Sequence, residues 1–196
     1  SVKSNDIEIT PLVPLTIAID KTNAVINCAG DNTGVIVATA EGGLGNYSYT
    51  LLDGAGATLQ GPVASGNFTG LFAGDYRVTV DSGDCNTTSA VITITQPLLP
   101  LTATYVITPV SCNGANNGIF TVNATGGTGI IKYAISPNMN QFFDSNIFDN
   151  LAPGNYDVVV QDALGCFVLI NFDMTEPTPI RATLDASSIV PEVCYG

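Results

Sequence analysis

The chain has 196 residues, 45% of them hydrophobic and only 11% charged, so it can fill a core but solvates itself mainly through Thr, Ser, Asn and Gly. Five basic residues against 17 acidic ones, with no His, give a net charge of −12, which repels phosphate backbones and anionic lipid surfaces. The lack of imidazole removes the commonest general base and metal ligand. Nucleic acid and membrane surfaces are thereby excluded as natural partners, and so are enzymes built on a histidine triad or a zinc–histidine centre.

Residues 1 to 20 lack the basic and long apolar regions of a signal peptide, and no apolar run approaches the roughly 20 residues that span a bilayer. A secretion signal is therefore expected outside this segment, and no membrane insertion within it. Ile9-Thr10-Pro11 followed by Pro14-Leu15-Thr16 resembles Ile94-Thr95-Gln96-Pro97 followed by Pro100-Leu101-Thr102. Residues 1–12 are accordingly predicted to be the last strand of a preceding module.

From residue 13 the chain repeats itself, the first signal to seek in any sequence. Cys28-Ala-Gly-Asp-Asn-Thr-Gly34 returns as Cys112-Asn-Gly-Ala-Asn-Asn-Gly118, and Cys194-Tyr-Gly196 opens a third copy; the spacings are 112 − 28 = 84 and 194 − 112 = 82. Gly42-Gly43-Leu44-Gly45 with Tyr49 returns as Gly126-Gly127-Thr128-Gly129 with Tyr133. Leu71-Phe-Ala-Gly74-Asp-Tyr76 returns as Leu151-Ala-Pro-Gly154-Asn-Tyr156, Cys85 as Cys166, and Thr95-Gln96-Pro97 as Thr175-Glu176-Pro177. These anchors divide the chain into repeat 1 at 13–97, repeat 2 at 98–178 and, at 179–196, the first strand of a following module.

Inside each repeat the apolar residues alternate with period two, as in Tyr76, Val78, Val80 and Tyr156, Val158, Val160, the mark of strands with one buried face. In repeat 2 strands are expected near 101–108, 118–124, 130–135, 155–161 and 166–174, with short ones between 140 and 150. About seven antiparallel strands in some 80 residues describe an immunoglobulin-like β-sandwich, all-β, with modules stacked end to end. Gly74 with Tyr76, and Gly154 with Tyr156, stand where a tyrosine corner would, the phenol turning back to the backbone upstream. They are fold-defining residues.

The set Cys112-Asn-Gly114, Asn117-Gly118, Gly126-Gly127, Tyr133, Leu151-x-x-Gly154-x-Tyr156, Asp162-x-x-Gly165-Cys166 and Glu176-Pro177 resembles the SprB repeat of gliding bacteria. The resemblance implies a long cell-surface filament, exported by type IX secretion and moved along the cell as an adhesin during gliding. It implies a module type and no binding site.

Five cysteines in a chain of extracellular character point to disulfides. Two pairings stand side by side. One is intramodular, Cys28 with Cys85 and Cys112 with Cys166. The other is intermodular, Cys28 with Cys166, since immunoglobulin connectivity puts the first-strand end and the last hairpin of one sandwich at opposite poles, about 30 Å apart. A catalytic thiol lacks the base or basic cluster it would need. Asp31, Asp53, Asp81, Asp84 and Asp162 sit in turns and could offer oxygens to a structural calcium, yet none follows a calcium-loop spacing and turn chemistry is the simpler account. No catalytic, cofactor or metal residue is assigned. Sequons at Asn46, Asn67, Asn86 and Asn123 arise readily in a chain rich in Asn and Thr. Phe142, Phe143 and Phe148 form an apolar cluster with no evident copy in repeat 1.

Two functions remain open. One is a shaft or spacer, extracellular at the cell surface, whose partners are neighbouring repeats or other filament subunits, with Pro97-Leu-Leu-Pro100 as a short stiff linker. The other is a β-sandwich module that binds a surface glycan or a protein through its loops.

Overall fold

The computed structural model describes residues 12–185 and 187, and among them there is no α-helix. Fourteen strands follow in order: β1 Thr16–Asp20, β2 Gly34–Glu41, β3 Ser48–Asp53, β4 Thr58–Val63, β5 Asn67–Leu71, β6 Gly74–Ser82, β7 Cys85–Thr88, β8 Ile92–Ile94, β9 Thr102–Thr108, β10 Gly118–Thr125, β11 Lys132–Ile135, β12 Ile147–Leu151, β13 Gly154–Gln161 and β14 Phe167–Met174. They form two compact units. One extends to Thr102 and takes in Thr125–Ile130 and Asp162–Cys166 as well; the other holds Ala103–Ala124, Ile131–Gln161 and the chain from Phe167.

In the first unit one sheet has the order β1-β2-β5 and the other β4-β3-β6-β7, with β8 also on β6. Alternation on β2 and β6 sends Ile36 and Ala38 from one sheet and Tyr76, Val78 and Val80 from the other into a shared core with Leu51, Phe68, Leu71, Ile92 and Ile94. The last strand is split because Ser89 breaks the ladder: its amide donates to the Val78 carbonyl (2.9 Å) while its hydroxyl accepts from the Val78 amide (3.0 Å). The second unit repeats the plan, with β9-β10-β12 in one sheet and β11-β13-β14 in the other. β10 carries the same burial pattern as β2.

The cores are filled differently. Where the first unit buries Ile36 and Ile92, the second buries Phe120 and Phe172, whose rings stack with centroids 3.9 Å apart. Tyr156 also stacks with Phe172, at 5.4 Å, and Tyr105 lies 5.2 Å from Phe120. Aromatic contacts of this kind add about 0.5–1.5 kcal/mol beyond area burial. Phe148 stands opposite Phe120 on β10 as Phe68 stands opposite Ile36 on β2. The expectation that this aromatic lacks a copy in repeat 1 is thus corrected for Phe148.

A crossing follows the first strand. β1 pairs antiparallel with β2, but Ala24–Ile26 then lies parallel to the end of the opposite sheet, with Ile26 N donating to Thr95 O (2.7 Å) and Thr95 N to Ala24 O (3.1 Å). Val110, 2% exposed, makes the matching bond to Thr175 O (3.1 Å). Cys28 and Cys112 therefore do not end the first strand, as expected from connectivity alone; they follow this second contact, next to the end of the last strand.

Tyr76 Oη donates to Phe72 O (3.0 Å) and Tyr156 Oη to Ala152 O (3.1 Å), each four residues upstream. Burial pushes the Tyr76 phenol above its ordinary pKa of 10.0. Gly74 and Gly154 have φ of +155° and +151°, a backbone state that side chains disfavour. The strand expected of a preceding module in 1–12 lies, but for Leu12, outside the described residues. Pro179–Asp185 carries no strand, and the rest of 179–196, with Cys194, is also outside them, apart from Ser187.

Replacing Tyr76 or Tyr156 by Phe removes one partly buried hydrogen bond and leaves a carbonyl short of its donor. Each change should cost about 1 kcal/mol, read as a lower urea midpoint at unchanged slope; a loss within error would mean the corner bond contributes nothing.

Candidate functional site

The part of the molecule most elaborately held is a joint in the first unit, made by the Cys28 turn, the Leu99–Pro100 segment, the Gly126–Gly129 loop and the Asp162–Cys166 hairpin. The turn begins where the Ala24–Ile26 crossing ends. Asp31 N donates to Cys28 O (3.2 Å), and Gly30 N, with φ +91°, reaches across to Gln96 Oε1 (2.9 Å). This ties the turn to the residue that closes repeat 1.

The hairpin is organised by the Asp162 carboxylate, 5% exposed. Oδ1 accepts from Leu164 N and Cys166 N, both at 2.9 Å, and Oδ2 from Thr128 N at 2.8 Å. Three backbone donors on one carboxylate offset its desolvation and make the hairpin and the glycine loop one piece. Ala163 N adds a bond to Thr128 O (3.0 Å). In repeat 1 the same place is taken by Ser82, fully buried, whose hydroxyl accepts from Leu44 N and donates to Gly45 O, both at 2.8 Å. The shorter hairpin, Asp81 to Cys85, shifts the register, so that Ser82 and not Asp81 is the counterpart of Asp162.

The glycine pairs serve close approach. Gly126 has φ +75°, and a Cβ there would fall on the Pro100 carbonyl; Gly42, φ +81°, stands in the same relation to Pro14. Gly127 N donates to Leu99 O (3.2 Å) as Gly43 N does to Val13 O (2.8 Å). Each repeat's entry segment is thus laid on that repeat's own glycine loop.

This geometry brings Cys166 to Cys28, with sulfurs 2.12 Å and Cα atoms 5.5 Å apart in a disulfide across 138 residues of sequence. The intramodular pairs Cys28–Cys85 and Cys112–Cys166 are not the bonds present, and the reason is distance. Cys28 sits by Gln96, which is 96 − 85 = 11 residues from Cys85 along the last strand, roughly 36 Å at about 3.3 Å per residue. Cys85 is half-buried and free, and Cys112 is exposed and free.

The acidic turns considered as calcium ligands do other work or stand apart. Asp53 Oδ1 accepts from Ala57 N (2.8 Å) to close a turn, and Asp162 is committed as above. Among the described residues no three His, Cys, Asp or Glu side chains gather at one place, and no helix is long and apolar enough to cross a membrane. Phe143, 41% exposed, and half-buried Phe148 line a groove of about 300 Å³ with Ile135, Ile147 and Leu151. A groove of about 480 Å³ occupies the same seam of the first unit, lined by Leu51, Leu59, Leu71 and Phe72. Its recurrence makes it a seam between the sheets of each sandwich.

The strand orders and shared cores define two immunoglobulin-like β-sandwiches. The SprB repeat family matches residues 24–56 and 104–140. The SprB repeat is thus matched at two places in the chain, once in each unit's strand-rich region. No curated protein matches it in sequence. Among solved structures it is similar to the fibronectin(III)-like modules of Clostridium thermocellum CbhA (13% identity, 82% of this chain and 94% of that one, TM-score 0.38). It is also similar to the amphioxus IgVJ-C2 molecule (12%, 83% and 96%, TM-score 0.32) and to domains 1–6 of the surface layer protein SbsC (13%, 87% and 29%, TM-score 0.32). Likeness at these scores adds nothing to the fold already described.

Asp162→Ala leaves three backbone amides without their acceptor. The change should destabilise the first unit by about 2–4 kcal/mol, and amide exchange at Thr128, Leu164 and Cys166 should rise with it. Unchanged exchange at Thr128 would show that the carboxylate does not hold the glycine loop.

Proposed function

We propose that the chain is a shaft segment of a long cell-surface adhesin filament: a spacer whose repeats are joined in series and whose role in attachment and gliding is mechanical. The observation that supports this most is the joint itself. A cysteine of repeat 1 and a cysteine of repeat 2 are covalently joined, and around them backbone, carboxylate and glycine contacts are spent on fixing one segment against the next. A disulfide between repeats suits an extracellular, oxidising setting, and a cystine carries tension that hydrogen bonds alone would yield to.

The two matches to the SprB repeat support the surface location, and export by type IX secretion goes with it in this reading. Neighbouring repeats of the same chain are the first partners, with other filament subunits beside them. A sandwich that binds glycan or protein is the weaker reading, because the groove it would use is the seam common to both units.

Small-angle scattering tests the shaft reading on the fragment. Two modules of about 35 Å each in line give a radius of gyration of about 22 Å, against about 16 Å for a compact chain of this length. On cells, in-frame removal of residues 13–178 from the parent protein should shorten the filament and leave attachment intact. A compact particle, or loss of attachment with the filament still displayed, would contradict the proposal.

A further inference from the structure

The Cys112 turn in the second unit is built like the Cys28 turn, yet among the described residues no hairpin is seated on it. Ala115 N donates to Cys112 O (3.0 Å) as Asp31 N does to Cys28 O. Gly114 N, φ +78°, reaches Glu176 Oε2 (2.6 Å) as Gly30 N reaches Gln96 Oε1. Asn113 adds a bond from Nδ2 to Pro177 O (3.2 Å). Against this turn lies a cavity of about 370 Å³ whose walls include Cys112, Asn113, Pro177, Pro179 and Ile180. Ile180, in sequence the counterpart of Leu15 and Leu101, is 99% exposed, whereas both of those are partly buried.

We infer that the Cys112 turn is a preformed socket for the cysteine hairpin of a further SprB-type repeat following in the same polypeptide, closed by a disulfide from Cys112. The occupant is specified by the copy already filled. On the Cys28 turn sits a hairpin of sequence Asp162-Ala-Leu-Gly-Cys166, and its cysteine meets Cys28 with Cα atoms 5.5 Å apart. The Cys112 turn shares the hydrogen-bond plan, the glycine at the third position and a carboxylate or amide partner from the residue before the linker proline. By the same equivalence Cys85, the counterpart of Cys166, is the half that a preceding repeat's turn would take. The disulfides of such a chain form a ladder in which each links one repeat to the next, never two strands of one sandwich.

Closure follows thiol–disulfide exchange. The Cys112 thiolate attacks oxidised glutathione and releases one reduced glutathione; the hairpin thiolate then attacks the mixed disulfide and releases the second. Two thiols lose two protons and two electrons, and both glutathione molecules leave reduced. The inference rests on the serial-repeat part of the proposed function and is independent of where on the cell the protein works.

The test uses the full chain with one repeat added, residues 1–178 followed by 98–196. In the appended copy Phe167→Tyr serves as a mass mark and Cys112→Ser prevents a competing thiol. After refolding in reduced and oxidised glutathione, non-reducing digestion should recover Cys112 joined to the marked Cys166 peptide in monomeric chains, beside the unmarked Cys28–Cys166 pair. In a second variant, with Cys166→Ser in the appended copy, the seated hairpin should slow alkylation of Cys112 at least about tenfold relative to the 196-residue chain, as burial of a thiol does. Four results overturn the inference: Cys112 recovered free or as a glutathione adduct in molecules that hold the Cys28–Cys166 bond, Cys112 bonds only between chains, absence of the Cys28–Cys166 pair itself, or alkylation of Cys112 at an unchanged rate. The first of these leaves the shaft reading standing, since the Cys28 joint would be intact.

Discussion

Everything distinctive in this molecule depends on where the chain goes between Asp20 and Gly34. By leaving β2 and laying Ala24–Ile26 parallel to Thr95, the first segment of the sandwich closes against the last. That delivers Cys28 next to Gln96 rather than next to Cys85. Once Cys28 is there, no cysteine of its own sandwich is within reach. Cys166 is, because the Asp162 carboxylate holds its hairpin on the Gly126–Gly129 loop and Leu99–Pro100 holds that loop in turn. The covalent bond completes an arrangement that backbone geometry has already prepared.

The two copies show which parts of the repeat are constrained and which are free. The joint keeps its geometry through changes of chemistry: Gln96 accepts from Gly30 N and Glu176 from its counterpart Gly114 N, and Ser82 and Asp162 both hold a glycine loop. The cores keep only their apolar pattern. Ile36 and Ile92 give way to Phe120 and Phe172, with the aromatic stack extended by Tyr156 and Tyr105, as expected where pattern matters more than identity. A repeat can thus vary inside while its connections stay uniform.

Much of the sandwich was legible in the sequence because its strands are half-buried and alternate. Tyr76, Val78 and Val80 fall on one face, and strand ends in repeat 2 agree with the structure to within two residues. The SprB repeat was legible through its ordered set of glycines, cysteines and tyrosines. What stayed hidden lacks periodicity. Ala24–Ile26 is too short to alternate, so the crossing that places Cys28 could not be seen and both cysteine pairings remained open. Ser82 was not singled out, because a serine in a turn carries no signal of its own, although the offset that sets Tyr76 against Tyr156 also sets Ser82 against Asp162. Phe148 was grouped with its neighbours Phe142 and Phe143, although its cross-strand place opposite Phe120 makes it the copy of Phe68.

The claim at the centre is that the cystine joins successive repeats and does not staple a single sandwich. It is tested most directly by non-reducing peptide mapping of the 196-residue chain, produced in an oxidising compartment and alkylated before digestion. One dominant cross-linked pair is expected, the Cys28 peptide with the Cys166 peptide, together with alkylated Cys85 and Cys112. Recovery of Cys28 joined to Cys85, or of Cys112 joined to Cys166, would contradict it.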